Sequence, residues 1–429
     1  MPALTTSTSA PAVTTELLNF VRSTCGRAVI MISIVSLVLV ILLAIFGSSH
    51  AIMVPGADYL HGSKVAVAHF PLTDVVNKDP YQPGQDRRTM VSLFMPVAKN
   101  SCSNECQNSY MPPETAGIAN EQFIIGGKPD AGVFETMSYT ICCGSSTPID
   151  ASKIPVVVLE PHVDTSRLLY ANIARYISAN GVAVILIDHP GDASIVQFSA
   201  SRTLALATVY NNGTVPLSNF SPLTAWNATV QTAVNTRIAD IRFALSQLNT
   251  VALLRRQFTT FRFSSGLNTE SYGIVGHGLG GSVATSLGLT DANARFSINL
   301  SGTPPLINAS VANPPLFFFG RQDFRRENDM HWPTTWSYLT GRATEFDLND
   351  SAIFDVTDLP IIVELAKTEG GNKDIQGRAL SGYAPETGSR AVTCFIENII
   401  KEQFKLDSQF RVLGDCVRMF EGVVPYPGR

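Results

Sequence analysis

Residues 272–284 read Y-G-I-V-G-H-G-L-G-G-S-V-A, an apolar run that enters a glycine-dense turn and leaves it as a small-residue helix. A strand that turns this sharply into a helix is the layout of a nucleophile elbow, the G-x-S-x-G turn that lifts a reactive serine above the edge of a sheet. Here the frame is Gly276-His277-Gly278-Leu279-Gly280, so the nucleophile position holds glycine. The stretch predicts an α/β sheet and contradicts the chemistry such a turn serves.

Working outward, strands and helices alternate, which argues for a mainly parallel central sheet with helices on both faces. Strands are expected at 155–159, 181–188, 296–300, 315–320 and 344–348. Helices are expected at 168–180, at 230–248 (Val234, Ile238, Ile241, Leu245 and Leu248 share one face), from Asp358, and at 391–410. Upstream, 64–70, 89–97 and 133–142 read as strands. Residues 101–130 hold two cysteines, Pro112-Pro113 and a Gly-Gly pair, and read as a stapled excursion outside the core. The aperiodic stretch 193–229 reads as a surface excursion over one end of the sheet.

The 429 residues are 45% apolar and 15% charged with net charge −4, enough for a large core and without the basic patch that nucleic acid requires. Residues 28–46 carry no charge and reach roughly 28 Å as a helix, enough for a bilayer core. Arg22 and Arg27 precede this run, and the next cation is Lys64, so the amino terminus is expected on the cytosolic side. The expected organisation is a flexible cytosolic tail (1–27), a transmembrane signal-anchor (28–46), a linker (47–63) and a luminal or extracellular domain (64–429). The rival is a cleaved signal peptide with its site at Ser49-His50-Ala51, which would release the domain as a secreted protein.

Six cysteines lie beyond the apolar segment: Cys102, Cys106, Cys142, Cys143, Cys394 and Cys416. An even set on the oxidising side reads as three disulfides. Adjacent Cys142 and Cys143 are expected to take different partners, and Cys394 with Cys416 to staple the carboxy-terminal helix. N-glycosylation sequences begin at Asn212, Asn219, Asn227, Asn299 and Asn308.

The runs P-V-V-V-L-E-P-H-V-D-T-S-R-L-L-Y (155–170), I-D-H-P-G-D-A (187–193), G-H-G-L-G-G (276–281), N-L-S-G-T (299–303) and F-D-V-T-D-L-P (354–360) resemble the platelet-activating factor acetylhydrolase family. The likeness is to its secreted fungal branch, with R-R-T-M-V-S-L-F-M-P-V (87–97) and Y-M-P-P (110–113), and it covers roughly residues 64–425. The resemblance implies an α/β-hydrolase fold and an ancestral carboxylester hydrolase removing short acyl groups from phospholipids. It puts the family's serine on Gly278, its acid on Ser301, its histidine on Ile353, and its glycine-rich oxyanion loop on His162-Val163-Asp164. All four positions, Val163 included, depart from the pattern.

A serine must attack, a histidine must carry its proton, and an acid must orient the histidine. With none of the three in place, the expectation is a catalytically inactive pseudohydrolase that binds a lipid or protein partner, with no cofactor and no metal. The alternative is an active esterase of phospholipase A2 type using relocated residues, for which Ser282, Ser301, His277 and His331 are the candidates. A metal reading would draw on His162, Asp164, Asp188, His189 and Asp192, but their spacing is not diagnostic.

Overall fold

The computed structural model describes residues 51–56, 62–127, 132–198, 208–210, 223–381, 388–406 and 413–426. The expected membrane segment 28–46 and the sequences at Asn212 and Asn219 lie outside the described residues. No helix among the described residues is long and apolar enough to cross a membrane.

The apolar runs at 156–159, 183–187 and 274–275 are buried on both faces, as parallel strands between two helical layers must be. They belong to a nine-stranded sheet: β1 (Ser63–Lys78), β2 (Asp86–Ala98), β3 (Val156–Glu160), β4 (Ala183–Asp188), β5 (Tyr272–His277), β6 (Ala294–Leu300), β7 (Leu316–Arg321), β8 (Ala343–Leu348) and β9 (Val423–Tyr426). Their spatial order is β1-β2-β4-β3-β5-β6-β7-β8-β9. The strands from β4 to β8 are parallel, while β1, β2 and β9 pair antiparallel at the two edges. β5 lies centrally between β3 and β6.

Alternation along the strands builds two cores. Val157, Leu159, Val184, Leu186 and Val275 face one layer, where α2 (Ala171–Ala179) and α6 (Ser389–Phe404) pack. Val156, Val158, Ile185, Ile187 and Ile274 face the other, under α3 (Ala228–Leu248) and α4 (Leu279–Thr290). The helix α5 (Leu359–Thr368) follows its N-cap, Asp358. The Asp358 carboxylate accepts hydrogen bonds from the backbone nitrogens of Asn172 (2.6 Å) and Ile173 (3.1 Å) and from the Tyr110 hydroxyl (2.7 Å), so it also ties down the start of α2.

Three disulfides join Cys102 to Cys142, Cys106 to Cys143 and Cys394 to Cys416, with Cα separations of 5.8, 6.0 and 5.9 Å. The adjacent cysteines take different partners because successive residues of the strand Met137–Ser145 meet the antiparallel strand Cys102–Ser109 at different rungs.

Four readings need correction. Residues 101–130 are not merely an excursion: α1 (Pro113–Phe123) buries Ala116, Ala119 and Phe123 in the first core. Its start, Pro112-Pro113, is compatible with a helix because proline suits the first turn. The stretch read as linker enters the domain, since Ile52–Met53 pairs with Met137–Ser138 and Val54 is buried. The aperiodic stretch 193–229 puts Ile195 and Val196 into buried positions, on a short strand paired with Thr208–Tyr210. Asn299 cannot carry a glycan in this fold. It is fully buried, and its Nδ2 donates to the carbonyls of Gly281 (2.9 Å) and Gly302 (3.0 Å) and to Thr285 Oγ1 (2.7 Å).

Candidate functional site at the strand-to-helix turn

β5 ends at His277, and Gly278 makes the turn into α4 with φ 54° and ψ −114°. Side chains rarely adopt this backbone, so glycine holds the turn without strain. Gly280 is required for another reason: a Cβ there would lie 2.5 Å from the Glu160 carbonyl oxygen on β3.

The space beside Gly278 is filled. A Cβ on Gly278 would lie 2.3 Å from both Nε2 and Cδ2 of His162, whose ring is wholly buried. His162 comes from the loop after β3, the loop the resemblance assigns to oxyanion binding. Its ring meets that of His277 edge-on, with centroids 4.8 Å apart and planes at 80°. Tyr170 joins the two: its hydroxyl accepts from the His162 backbone nitrogen at 3.0 Å and lies 2.8 Å from His277 Nδ1. Which of Tyr170 Oη and His277 Nδ1 donates follows from the tautomer of the ring.

Burial, and then the Arg321 guanidinium, push His277 down to about 3, partly opposed by the backbone of Ile353. Burial, then the facing His277 ring and the Arg321 and Arg237 guanidiniums, push His162 well below the usual imidazole range. Both rings are therefore neutral at ordinary pH.

The other assigned positions gather around this pair. Gly278 N donates to the Leu300 carbonyl at 2.9 Å, and a Cβ on Gly302 would lie 2.3 Å from the Gly278 oxygen, so the turn after β6 touches the elbow. In that turn Ser301 has φ 56°, and both its backbone nitrogen and its Oγ donate to the Phe319 carbonyl at 2.9 Å. Ile353 is 6% exposed and faces His277 through its backbone. Phe354 stands 6.5 Å from the His277 ring and 5.0 Å from Phe123 of α1, so the excursion helix closes over the turn. Val163 is buried against the second core, and Asp164, also at positive φ, donates its backbone nitrogen to the Asp192 carbonyl at 2.8 Å.

The candidates for relocated chemistry sit elsewhere or are engaged. Ser282 Oγ reaches back to the Gly278 carbonyl at 3.5 Å, the usual resting place of a helix serine. His331 bonds the Pro304 carbonyl through Nδ1 at 2.9 Å, and its ring packs on Trp226 at 5.3 Å.

A second cluster, legible only in three dimensions, lies behind the first. His189 is buried and doubly bonded, Nε2 to Glu160 at 2.9 Å and Nδ1 to Asp240 at 2.8 Å. Arg87 bridges Asp240 (2.7 Å), Asp79 (2.9 Å) and the Pro190 carbonyl (2.8 Å). Arg237 grips Asp192 through two nitrogens (2.7 and 2.8 Å) and the Pro161 carbonyl at 2.6 Å. Burial alone would lower His189, but the Glu160 charge and the hydrogen bonds to both carboxylates outweigh it and raise the group to about 9. The donors of the metal reading are thus dispersed: His162 to the elbow, Asp188 to Arg167, His189 to two carboxylates and Asp192 to Arg237. No group of three metal-ligating side chains converges among the described residues.

A mixed sheet in this crossing order, helices on both faces and a positive-φ turn after the central strand define an α/β-hydrolase fold. In fold the chain is similar to a ferulic acid esterase from Streptomyces cinnamoneus, at a TM-score of 0.57 and 18% identity over 85% of this chain and 96% of that one. Residues 84–405 match the family model of platelet-activating factor acetylhydrolase, isoform II, and the chain belongs to that family. It is 27% identical over 330 residues to a probable 1-alkyl-2-acetylglycerophosphocholine esterase of Arthroderma benhamiae, spanning 72% of this chain and 76% of the relative.

Proposed function

We propose that this member of an esterase family is a pseudohydrolase: it keeps the scaffold, does not turn over esters, and acts by binding a lipid or protein partner. Gly278, Ser301 and Ile353 are the vacated serine, acid and histidine positions, and Val163 marks the altered oxyanion loop. The observation that carries the reading is the His162 ring standing where the side chain of a nucleophile at 278 would have to begin. Losing the serine or histidine of a triad lowers turnover on the order of a million-fold, leaving only what the oxyanion hole and binding contribute. Here the occupied space removes the approach as well. Because the elbow is packed shut by buried side chains, the binding surface lies outside it. Residues 28–46 hold the domain to a membrane of the secretory pathway or cell surface, with the domain on the luminal or extracellular side.

The test is to expose the folded protein to a serine-directed fluorophosphonate and to p-nitrophenyl acetate. Neither covalent label nor turnover above buffer is expected. Labelling that disappears in Ser282→Ala or Ser301→Ala would establish the relocated-nucleophile alternative instead.

A further inference from the structure

Four described asparagines begin an N-x-S/T sequence, Asn227-Ala228-Thr229, Asn299-Leu300-Ser301, Asn308-Ala309-Ser310 and Asn349-Asp350-Ser351, and the fold sorts them. In the last, Asn349 Oδ1 accepts from Arg325 at 2.7 Å and the hydroxyl of buried Ser351 donates to the Leu348 carbonyl, so it is not among the acceptors proposed below. Asn299 is sealed by the three bonds of its Nδ2, and its partner hydroxyl, Ser301, is engaged with the Phe319 carbonyl. Asn227 is exposed at the N-cap of α3, where its Oδ1 accepts from Val230 N at 3.0 Å. That cap uses the oxygen and leaves outside it the nitrogen, the atom to which a glycan attaches. Thr229 is also exposed, and Asn308, Ala309 and Ser310 form an exposed loop after β6. Three disulfides favour an oxidising, secretory compartment.

We propose that Asn227 and Asn308 carry asparagine-linked glycans and that Asn299 does not. The inference rests on the translocated reading of the domain given above. The co-reactant is a polyprenyl-diphosphate-linked oligosaccharide. The bond from sugar C1 to the diphosphate oxygen breaks, the diphosphate leaves with the electron pair, a C1–Nδ2 bond forms, and the amide proton passes to a base of the transferase. Transfer precedes folding, so the fold acts as a filter. A chain glycosylated at Asn299 cannot close the α4–β6 contact, whereas one glycosylated at Asn227 keeps its helix cap.

The two acceptors flank one feature. A groove of about 380 Å³ lies between α3 and α4, lined by Val234, Ile238, Leu289 and Ile307 with Gln231 at one side. Asn227 precedes Gln231 by one helical turn, and Asn308 adjoins Ile307, so the glycans stand on two sides of this groove.

The full chain, expressed in a eukaryotic secretory host, is treated with peptide N-glycosidase in ¹⁸O-water and mapped by mass spectrometry. The non-reduced digest of the same sample reads the Cys106–Cys143 disulfide. The expected result is isotope label at Asn227 and Asn308, none at Asn299, and loss of one glycan each in Thr229→Ala and Ser310→Ala, which leave both asparagines in place. Label at Asn299, or intact disulfides with Asn227 or Asn308 unlabelled, overturns the site assignment. Reduced thiols with no label at any site overturn the translocated reading and this inference with it.

Discussion

Two histidine clusters sit at the same end of the central strands and have opposite electrostatics. Around the elbow, His162 and His277 face each other with Arg321 nearby, and burial next to a cation keeps both rings neutral. Behind them, His189 lies between Glu160 and Asp240, and the same degree of burial leaves it charged. What distinguishes them is the sign of the neighbours. The resemblance motifs follow the same division. Arg87 of R-R-T-M-V and His189 of D-H-P belong to the charged framework, and Tyr110 of Y-M-P-P meets Asp358 of D-L-P. On the proposed reading, the motifs at the elbow are the ones that lack reactive side chains.

The largest effect should come from breaking the charged cluster by halves. Arg237→Met leaves Asp192 without its two-nitrogen partner and removes a cation from Glu160, both fully buried. Removing one member of a buried pair costs about 3–5 kcal/mol because the remaining charge stays desolvated. Urea unfolding should show a loss of that size. A variant within about 1 kcal/mol of the parent would mean that the cluster is better hydrated than its burial indicates.

The two clusters should also fail at opposite ends of the pH scale. His189 is raised from 6.5 in the unfolded chain to about 9 in the fold, so its contribution is complete below 6.5 and is lost as pH rises through 9. At about 1.4 kcal/mol per unit, that contribution is on the order of 3 kcal/mol. His277 is lowered to about 3, so the unfolded chain binds the extra proton, and stability present above 6.5 is lost as pH falls toward 3. His189→Gln should flatten the alkaline limb of a stability profile and His277→Phe the acid limb. An alkaline limb that survives His189→Gln would refute the assignment.

Legibility in the sequence followed the range of the interactions. The elbow, the alternating core strands and the pairing of Cys394 with Cys416 are local patterns, and each can be read from neighbouring residues. The charged framework joins Arg87 to Asp240 across 153 positions and Tyr110 to Asp358 across 248, and no spacing rule reaches that far. Its one local trace is Glu160, a carboxylate closing the otherwise apolar run V-V-V-L-E, which implies a buried partner somewhere in the chain. β9 escaped notice because Val423–Tyr426 contains Pro425, which argues against a central strand and is tolerated at an edge. His162 read as a loop histidine or a stray metal donor. The signal that could have revealed its role is reciprocal volume: no side chain at 278, where the resemblance implies serine, and a large one at 162, where it implies glycine.

That reciprocity supplies the smallest and most diagnostic effect, a coupling between two substitutions that are each costly alone. Gly278→Ser places a Cβ 2.3 Å from the His162 ring and forces a side chain onto a backbone at φ 54°, ψ −114°. The backbone contribution costs about 1–3 kcal/mol, and overpacking adds a similar amount unless the ring can move. His162→Gly alone opens a cavity and also destabilises, but in combination it makes room for the serine, so the two losses should add to less than their sum, with a coupling of roughly 0.5–3 kcal/mol. The same cycle bears on function. Gly278→Ser with Ser301→Asp and Ile353→His restores the three triad side chains in name, yet His162 still occupies the approach, so hydrolysis of p-nitrophenyl acetate should stay at background. Adding His162→Gly to that variant should raise it measurably. Turnover in the triple variant with His162 intact would show that the ring yields easily, and the occupied space would then no longer support the proposed inactivity.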